Sequence, residues 1–313
     1  MSQSASAADP LSTPEAFKAG LIAAVSAYLM WGFAPMYYKL TADMPAIIVI
    51  CYRVIGSVLF LGAFLVMSKL RKEILAIFCD FSRLRYLLVS ASVISVNWTI
   101  FIWAVETGRV LDASLGYFIN PLVSVGLGVV LLSERLSKAQ LAALAITIFA
   151  VLYKTFEVGE LPWVSVVLAL SFALYGYVRK QAPVSAVAGQ LVEVLLVLPF
   201  ALVGIWYFAQ AGTGGIYPAV PLEHPWFFSL LLFTGVITAV PLVVFAFAAR
   251  RLPMIYIGFL QYIAPSIHFL SAIWLFGEEL SLEGLLAFGM IWFSLVIFSV
   301  DGVMARCRVA KLA

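Results

Sequence analysis

Apolar runs recur along this chain, separated by short polar or basic segments. Each run is long enough to cross a ~30 Å hydrocarbon core as a helix, which needs about 20 residues. The pattern predicts ten spans, at 17–38, 45–67, 86–105, 111–132, 138–154, 161–179, 186–208, 226–249, 254–276 and 282–302. Ten-residue segments of alternating apolar and polar residues are absent, which argues against an outer-membrane barrel. Residues 1–16 are small and polar, with no basic stretch ahead of an apolar core. They read as a cytoplasmic tail and not as a cleaved signal. Residues 303–313 form a second, basic tail.

Composition agrees with this pattern. Hydrophobic residues make up 64% of the 313 and charged residues 11%, with a mean hydropathy of +1.07. A soluble domain carries about 25% charged residues. The expected class is therefore an all-α integral membrane protein. The net charge of +3 is small and no nucleic-acid footprint. It is distributed by topology. If the N-terminus is cytoplasmic, fifteen of the nineteen basic residues fall in inside segments, among them Lys69, Arg71, Lys72, Arg179 and Lys180. Only Lys39, Arg109 and Lys154 fall outside, and Arg53 lies within a span. That bias predicts both termini in the cytoplasm. Cys79 and Cys307 then face the reducing side and Cys51 is intramembrane, so no disulfide and no metal set is expected.

The chain also repeats itself. A shift of 144 positions brings Gly32 onto Gly176, Pro121 onto Pro265, Glu134 onto Glu278 and Leu136-Ser137 onto Leu280-Ser281. The two units run over 17–155 and 161–302. Each holds five predicted spans, an odd number, so the second unit enters the membrane upside down. Inverted repeats around a midplane site are a recurring plan of secondary transporters.

Within the fourth and ninth spans, Pro121 and Pro265 free the carbonyls of Tyr117 and Gln261. Irregular backbone at membrane depth survives only where protein or a water-filled cavity covers it. The expectation is a helix break at each proline, beside a central cavity. Ser114, Tyr117, Pro121, Ser124 and Gly128 share one helix face, and Gly258, Gln261, Pro265 and His268 trace the matching one. Such a face serves close helix packing, a cavity, or both.

Several segments carry a resemblance. "WGFAPMYYK", "YRVIGS", "NWTIFIWAVE", "DASLGYFINPLVSVGLG", "LSERLS", "SFALYGYVRK", "GFLQYIAP" and "FGEELS" together resemble the RarD group of EamA-type drug/metabolite transporters. The resemblance runs from about Ala19 to Asp301. It implies a ten-helix inverted repeat in a bacterial inner membrane, in a superfamily whose members export amino acids and other metabolites.

Two charged residues lie deep in predicted spans, Arg53 about eight residues into the second and Glu193 about seven into the seventh. Each costs roughly 2.5–3.5 kcal/mol at mid-membrane on insertion scales, so each needs a polar partner. The two align as repeat mates once a four-residue gap is allowed, about 8 Å apart in depth. They are expected to share one site, holding the carboxylate and the amine of a zwitterion. The rival reading is a permanent ion pair. Glu193 is also the one carboxylate deep enough to couple transport to protons. Tyr28, Trp31, Asn97, Trp98, Tyr117, Asn120, Gln261, Tyr262 and His268 complete the expected solute-binding set. For the aromatic members generic packing is an equal reading, and for His268 a hydrogen-bonded packing role is the better one. Glu134 and Glu278 would lie on opposite sides of the membrane, so they read as structural carboxylates that accept N–H groups at the turn before the next helix.

The function expected is secondary transport of small organic solutes by alternating access, without a cofactor. The alternative is a polytopic membrane enzyme or lipid-handling protein. Only two histidines occur, with no H-E-x-x-H pattern, and no Gly-Lys dipeptide exists to build a phosphate loop.

Overall fold

The computed structural model describes residues 13–41, 44–107, 109–158, 163–210, 225–276 and 282–312. These form helices and contain no strand. Helix α1 (Pro14–Tyr38) begins where the hydroxyl of Thr13 accepts the Ala16 N–H at 3.1 Å, with proline at the first helical position. The others are α2 (Ala46–Gly62), α3 (Ser68–Cys79), α4 (Phe81–Glu106), α5 (Val110–Leu132), α6 (Lys138–Val158) and α7 (Trp163–Gln181). They continue as α8 (Ala186–Gln210), α9 (Pro225–Ala249), α10 (Met254–Gln261), α11 (Ile263–Phe276) and α12 (Leu282–Leu312). Among the described residues, eight helical segments are long and apolar enough to cross a membrane. This is a multi-pass membrane protein.

Helix α3 lies where the sequence suggested only a basic loop. Leu70, Ile74 and Ile77 are buried on one face, while Lys69, Arg71 and Lys72 are exposed. That spacing makes it an amphipathic helix. Glu73 on α3 accepts the backbone N–H of Ser185 at 2.7 Å and its hydroxyl at 2.8 Å, which ties α3 to the start of α8. Between α3 and α4, Asp80 accepts from the hydroxyl and N–H of Ser82 and pairs with Arg83, so its carboxyl is held below the usual range.

The packing follows the internal repeat. Helix α4 packs on α7 as α9 packs on α1, and α5 packs on α7 as α10 and α11 pack on α1. Helices α2 and α8 lie together, as do α6 and α12, and in each case the partners are mates under the 144-residue shift. Close approach depends on small residues. Gly56 on α2 meets Gly235 on α9 backbone to backbone, with no room for a Cβ on either, and the Ser57 hydroxyl donates to the Gly235 carbonyl at 2.9 Å.

The two prolines behave differently. Helix α5 runs through Pro121 without interruption. Its mate divides at Tyr262 into α10 and α11. There Pro265 has no N–H for the Gln261 carbonyl, and the Tyr262 N–H turns back to the Phe259 carbonyl at 3.3 Å. The break expected at Pro121 is thus absent. Gly258 of α10 packs against the Pro121 carbonyl and the Val125 side chain, so the continuous and the divided helix meet at this point.

Candidate functional site

A cavity of about 750 Å³ lies between the helices of the two repeats, within the usual range for small-molecule sites. It runs from the α1–α2 connection (Tyr38, Thr41, Met44 and Pro45) down to Tyr28, Phe172 and Gln261. Tyr28 stands ten residues before Tyr38, so the depth is about 15 Å along α1. Of the expected binding residues, Tyr28, Trp31, Arg53, Asn97, Trp98, Tyr117, Asn120, Gln261 and His268 line it, together with Pro265.

Among the described residues, Arg53 is the one arginine or lysine on the wall, and no Asp or Glu lines the cavity. Its Nε donates to the Thr238 hydroxyl at 2.9 Å, and that hydroxyl donates in turn to the Thr234 carbonyl at 2.8 Å. The Tyr38 and Trp98 rings lie 5.3 and 5.1 Å from the guanidinium carbon, within cation–π range. Asn97 donates its amide to the Leu168 carbonyl and the Ser171 hydroxyl, both at 2.9 Å. The Asn120 side chain is buried, and its Oδ1 has no hydrogen-bond partner. His268 Nε2 lies 3.1 Å from the Trp31 carbonyl, which fixes that nitrogen as the donor, and its ring meets Tyr117 edge-on.

The deep end is closed by aromatic side chains. Phe245 of α9 packs against Trp31 and Phe172 at 5.5 Å, and it stacks on Tyr175 at 6.1 Å. The Tyr28 hydroxyl donates to the Ile257 carbonyl at 3.1 Å, joining α1 to α10 beneath the cavity. Phe172 and Tyr175 stand 144 positions after Tyr28 and Trp31, and Phe245 stands 144 after Phe101. The shift thus held a signal for this floor, but apolar matches count for little in so apolar a chain.

Glu193 does not share a site with Arg53. It is buried behind the floor, 3.5 Å from Nη1 of Arg179, and it accepts from the Tyr175 hydroxyl at 3.3 Å and from the Ser90 hydroxyl. Arg179, assigned from sequence to a cytoplasmic loop, is only 2% exposed. Its guanidinium donates to the Ala186 carbonyl at 3.1 Å and occupies space that Gly189 leaves open on α8. Tyr262 is also outside the cavity. It lies one residue past Gln261, which turns it about 100° around the helix. Its hydroxyl donates to the Phe118 carbonyl at 2.9 Å. Pro121 is buried against α10 and does not line the cavity.

Glu134 does accept backbone N–H groups, but not those before α6. There Ser137 and Gln140 cap the helix reciprocally, each accepting the other's N–H at 3.0 Å. Instead α5 ends at Ser133 in the left-handed conformation (φ 53°), and the Glu134 carboxylate reaches across to α10. It accepts from Met254 and Ile255 at 2.7 and 2.9 Å. Lys180 donates to the Ala249 and Leu252 carbonyls at 3.1 and 2.5 Å. An anion therefore holds the N-terminus of α10, and a cation holds the C-terminal end of α9 at the same turn. Glu278 lies outside the described residues.

Comparison with known proteins places this geometry. Residues 18–155 match the EamA-like transporter family. The chain is 42% identical to an uncharacterized transporter of Pseudomonas aeruginosa, over 90% of this chain and 93% of that one. It is 38% identical to an uncharacterized transporter of Vibrio cholerae (92% and 94%), and 37% identical to Protein RarD of Escherichia coli (93% and 97%). A crystal structure of a protein 16% identical to it has the same fold, with a TM-score of 0.65, covering 89% of this chain and 96% of that chain.

Proposed function

The chain belongs to the EamA-like transporter family, in the RarD group of the drug/metabolite transporters, and on that premise we propose that it moves small organic solutes across the bacterial inner membrane by alternating access. The observation that carries this reading is the cavity itself. It lies between the two repeats, reaches the α1–α2 connection at one end, and meets the Phe245–Tyr175–Trp31 floor at the other. The exchange of packing partners under the 144-residue shift supports two five-helix units of inverted topology. In that arrangement α6 and α7 bring the eight segments, with the divided α10–α11 counted as one of them, to ten crossings, and both termini are cytoplasmic. The cavity then faces outward, and the floor with the Glu134 and Lys180 ties forms the inner closure. Transport requires those contacts to release as the outer end closes.

Glu193 lies behind the floor and is already paired, so solute gradients drive the flux. Proteoliposomes without ATP should take up solute down its gradient, and an imposed pH gradient should add no accumulation beyond that of empty vesicles. Absence of any protein-dependent flux across a broad panel of metabolites would sink the transport reading. Orientation has its own test. Cys79, exposed at the end of α3, should resist an impermeant thiol reagent in intact cells and react after permeabilisation.

A further inference from the structure

We propose that the cavity is built for a flat organic monoanion, whose acid group sits on Arg53. The inference rests on the transport reading above and narrows it to a class of solute.

The charge balance comes first. Arg53 lies about two turns into α2, where an uncompensated cation is costly. The protein gives it one hydroxyl and two ring faces, and no carboxylate. The bond to Thr238 uses Nε and so fixes the orientation of the fork. Two Nη groups are left without a hydrogen bond inside the protein, an arrangement that suits the two oxygens of a carboxylate. Among the described lining residues there is no acid for a zwitterion's ammonium, and Glu193 is paired with Arg179 on the far side of the floor. An anion neutralises the site. A zwitterion would satisfy Arg53 and leave its own ammonium buried without a counter-charge, and a cation would be repelled.

Asn120 lines the same cavity, but its unpartnered Oδ1 is covered by the protein and out of a solute's reach. The remaining wall presents Trp98, Phe101, Trp31 and Phe172, whose ring faces and edges suit a flat apolar body.

Thermal unfolding of the purified full-length protein in detergent tests this with matched pairs. The probes are 4-hydroxybenzoate, 4-hydroxycinnamate and indole-3-acetate, each against its primary amide, with tyrosine and tyramine as zwitterion and cation. At least one acid should raise the Tm in a saturable way while its amide, tyrosine and tyramine do not. Arg53→Gln should weaken that acid roughly 10- to 100-fold, the equivalent of a charge-assisted bond. Arg53→Lys should retain part of the shift. The proposal is overturned if amides or amines stabilise as well as acids, if the acid's effect survives Arg53→Gln, or if no acid acts. The acid-against-amide comparison uses the wild type, so it stands even if a variant fails to fold. Protein-dependent flux of neutral or cationic solutes, unaffected by Arg53→Gln, would reject the anion site and leave the transport reading in place. No flux of anything would reject both.

Discussion

Arg53 of α2 and Arg179 of α7 have opposite surroundings. Arg179 is sealed behind the floor against Glu193, a backbone carbonyl and the gap left by Gly189. Arg53 stands on the cavity wall with a threonine hydroxyl and two aromatic rings. The protein gives the first arginine a counter-charge and, among the described residues, gives the second none. The contrast separates what residue type and depth cannot: the paired arginine ties helices together, and in the reading proposed above the other one meets the solute.

Breaking the paired site should have the largest effect. Removing one member of a buried ion pair strands the other charge, at a cost of about 3–5 kcal/mol. Glu193→Ala is therefore expected to lower the unfolding temperature sharply. The double variant Arg179→Leu with Glu193→Leu should recover much of the loss. Equal instability in the double variant would mean that the pair is more than a local balance of charge.

The open site should respond in the reverse way. Arg53→Gln should change stability by less than about 1 kcal/mol, because little in the protein depends on the charge. Transport of an acidic solute should nevertheless fall by roughly tenfold or more. If Arg53→Gln proves as destabilising as Glu193→Ala, the contrast between the two arginines fails.

The inner closure offers an intermediate effect. Glu134→Ala removes two charge-assisted bonds to α10, about 1.5–3 kcal/mol in total after solvent partly replaces them. Amide hydrogen exchange over Met254–Ile257 should quicken, while the Arg179 region stays protected. Unchanged exchange there would mean that the carboxylate does not hold the closure.

The prolines give the smallest effects on stability. Pro265→Ala supplies an N–H for the Gln261 carbonyl, so α10 and α11 should join and the transport rate should fall. Pro121→Ala lies in a helix that is already continuous, and it should change stability by no more than about 1 kcal/mol. A larger transport defect in Pro121→Ala than in Pro265→Ala would show that α5 must bend during the cycle and would sharpen the difference between the repeats.

Much of this architecture was written in the order of the residues. Runs of apolar side chains fix where helices can cross, since hydrocarbon leaves the backbone no other way to satisfy its polar groups. The 144-residue shift fixes which helices are mates, and every pair of mates it names occupies corresponding places in the packing. Face periodicity brought Tyr117, Gln261 and His268 to one cavity. The amphipathic α3 was legible as well, in the spacing of Leu70, Ile74 and Ile77, although the basic residues around it pointed to a loop.

The tertiary structure alone decided which neighbour each face meets. A soluble helix marks its buried side with apolar residues, but a membrane helix is apolar all round. Depth along the sequence could therefore bring Arg53 and Glu193 to similar levels, yet not show that Glu193 turns toward Arg179. Nor could it show that Glu134 would pass over its own next helix and cap α10, 120 residues away. Nor could it show which proline divides its helix: both remove one hydrogen bond, yet only the helix of Pro265 is divided.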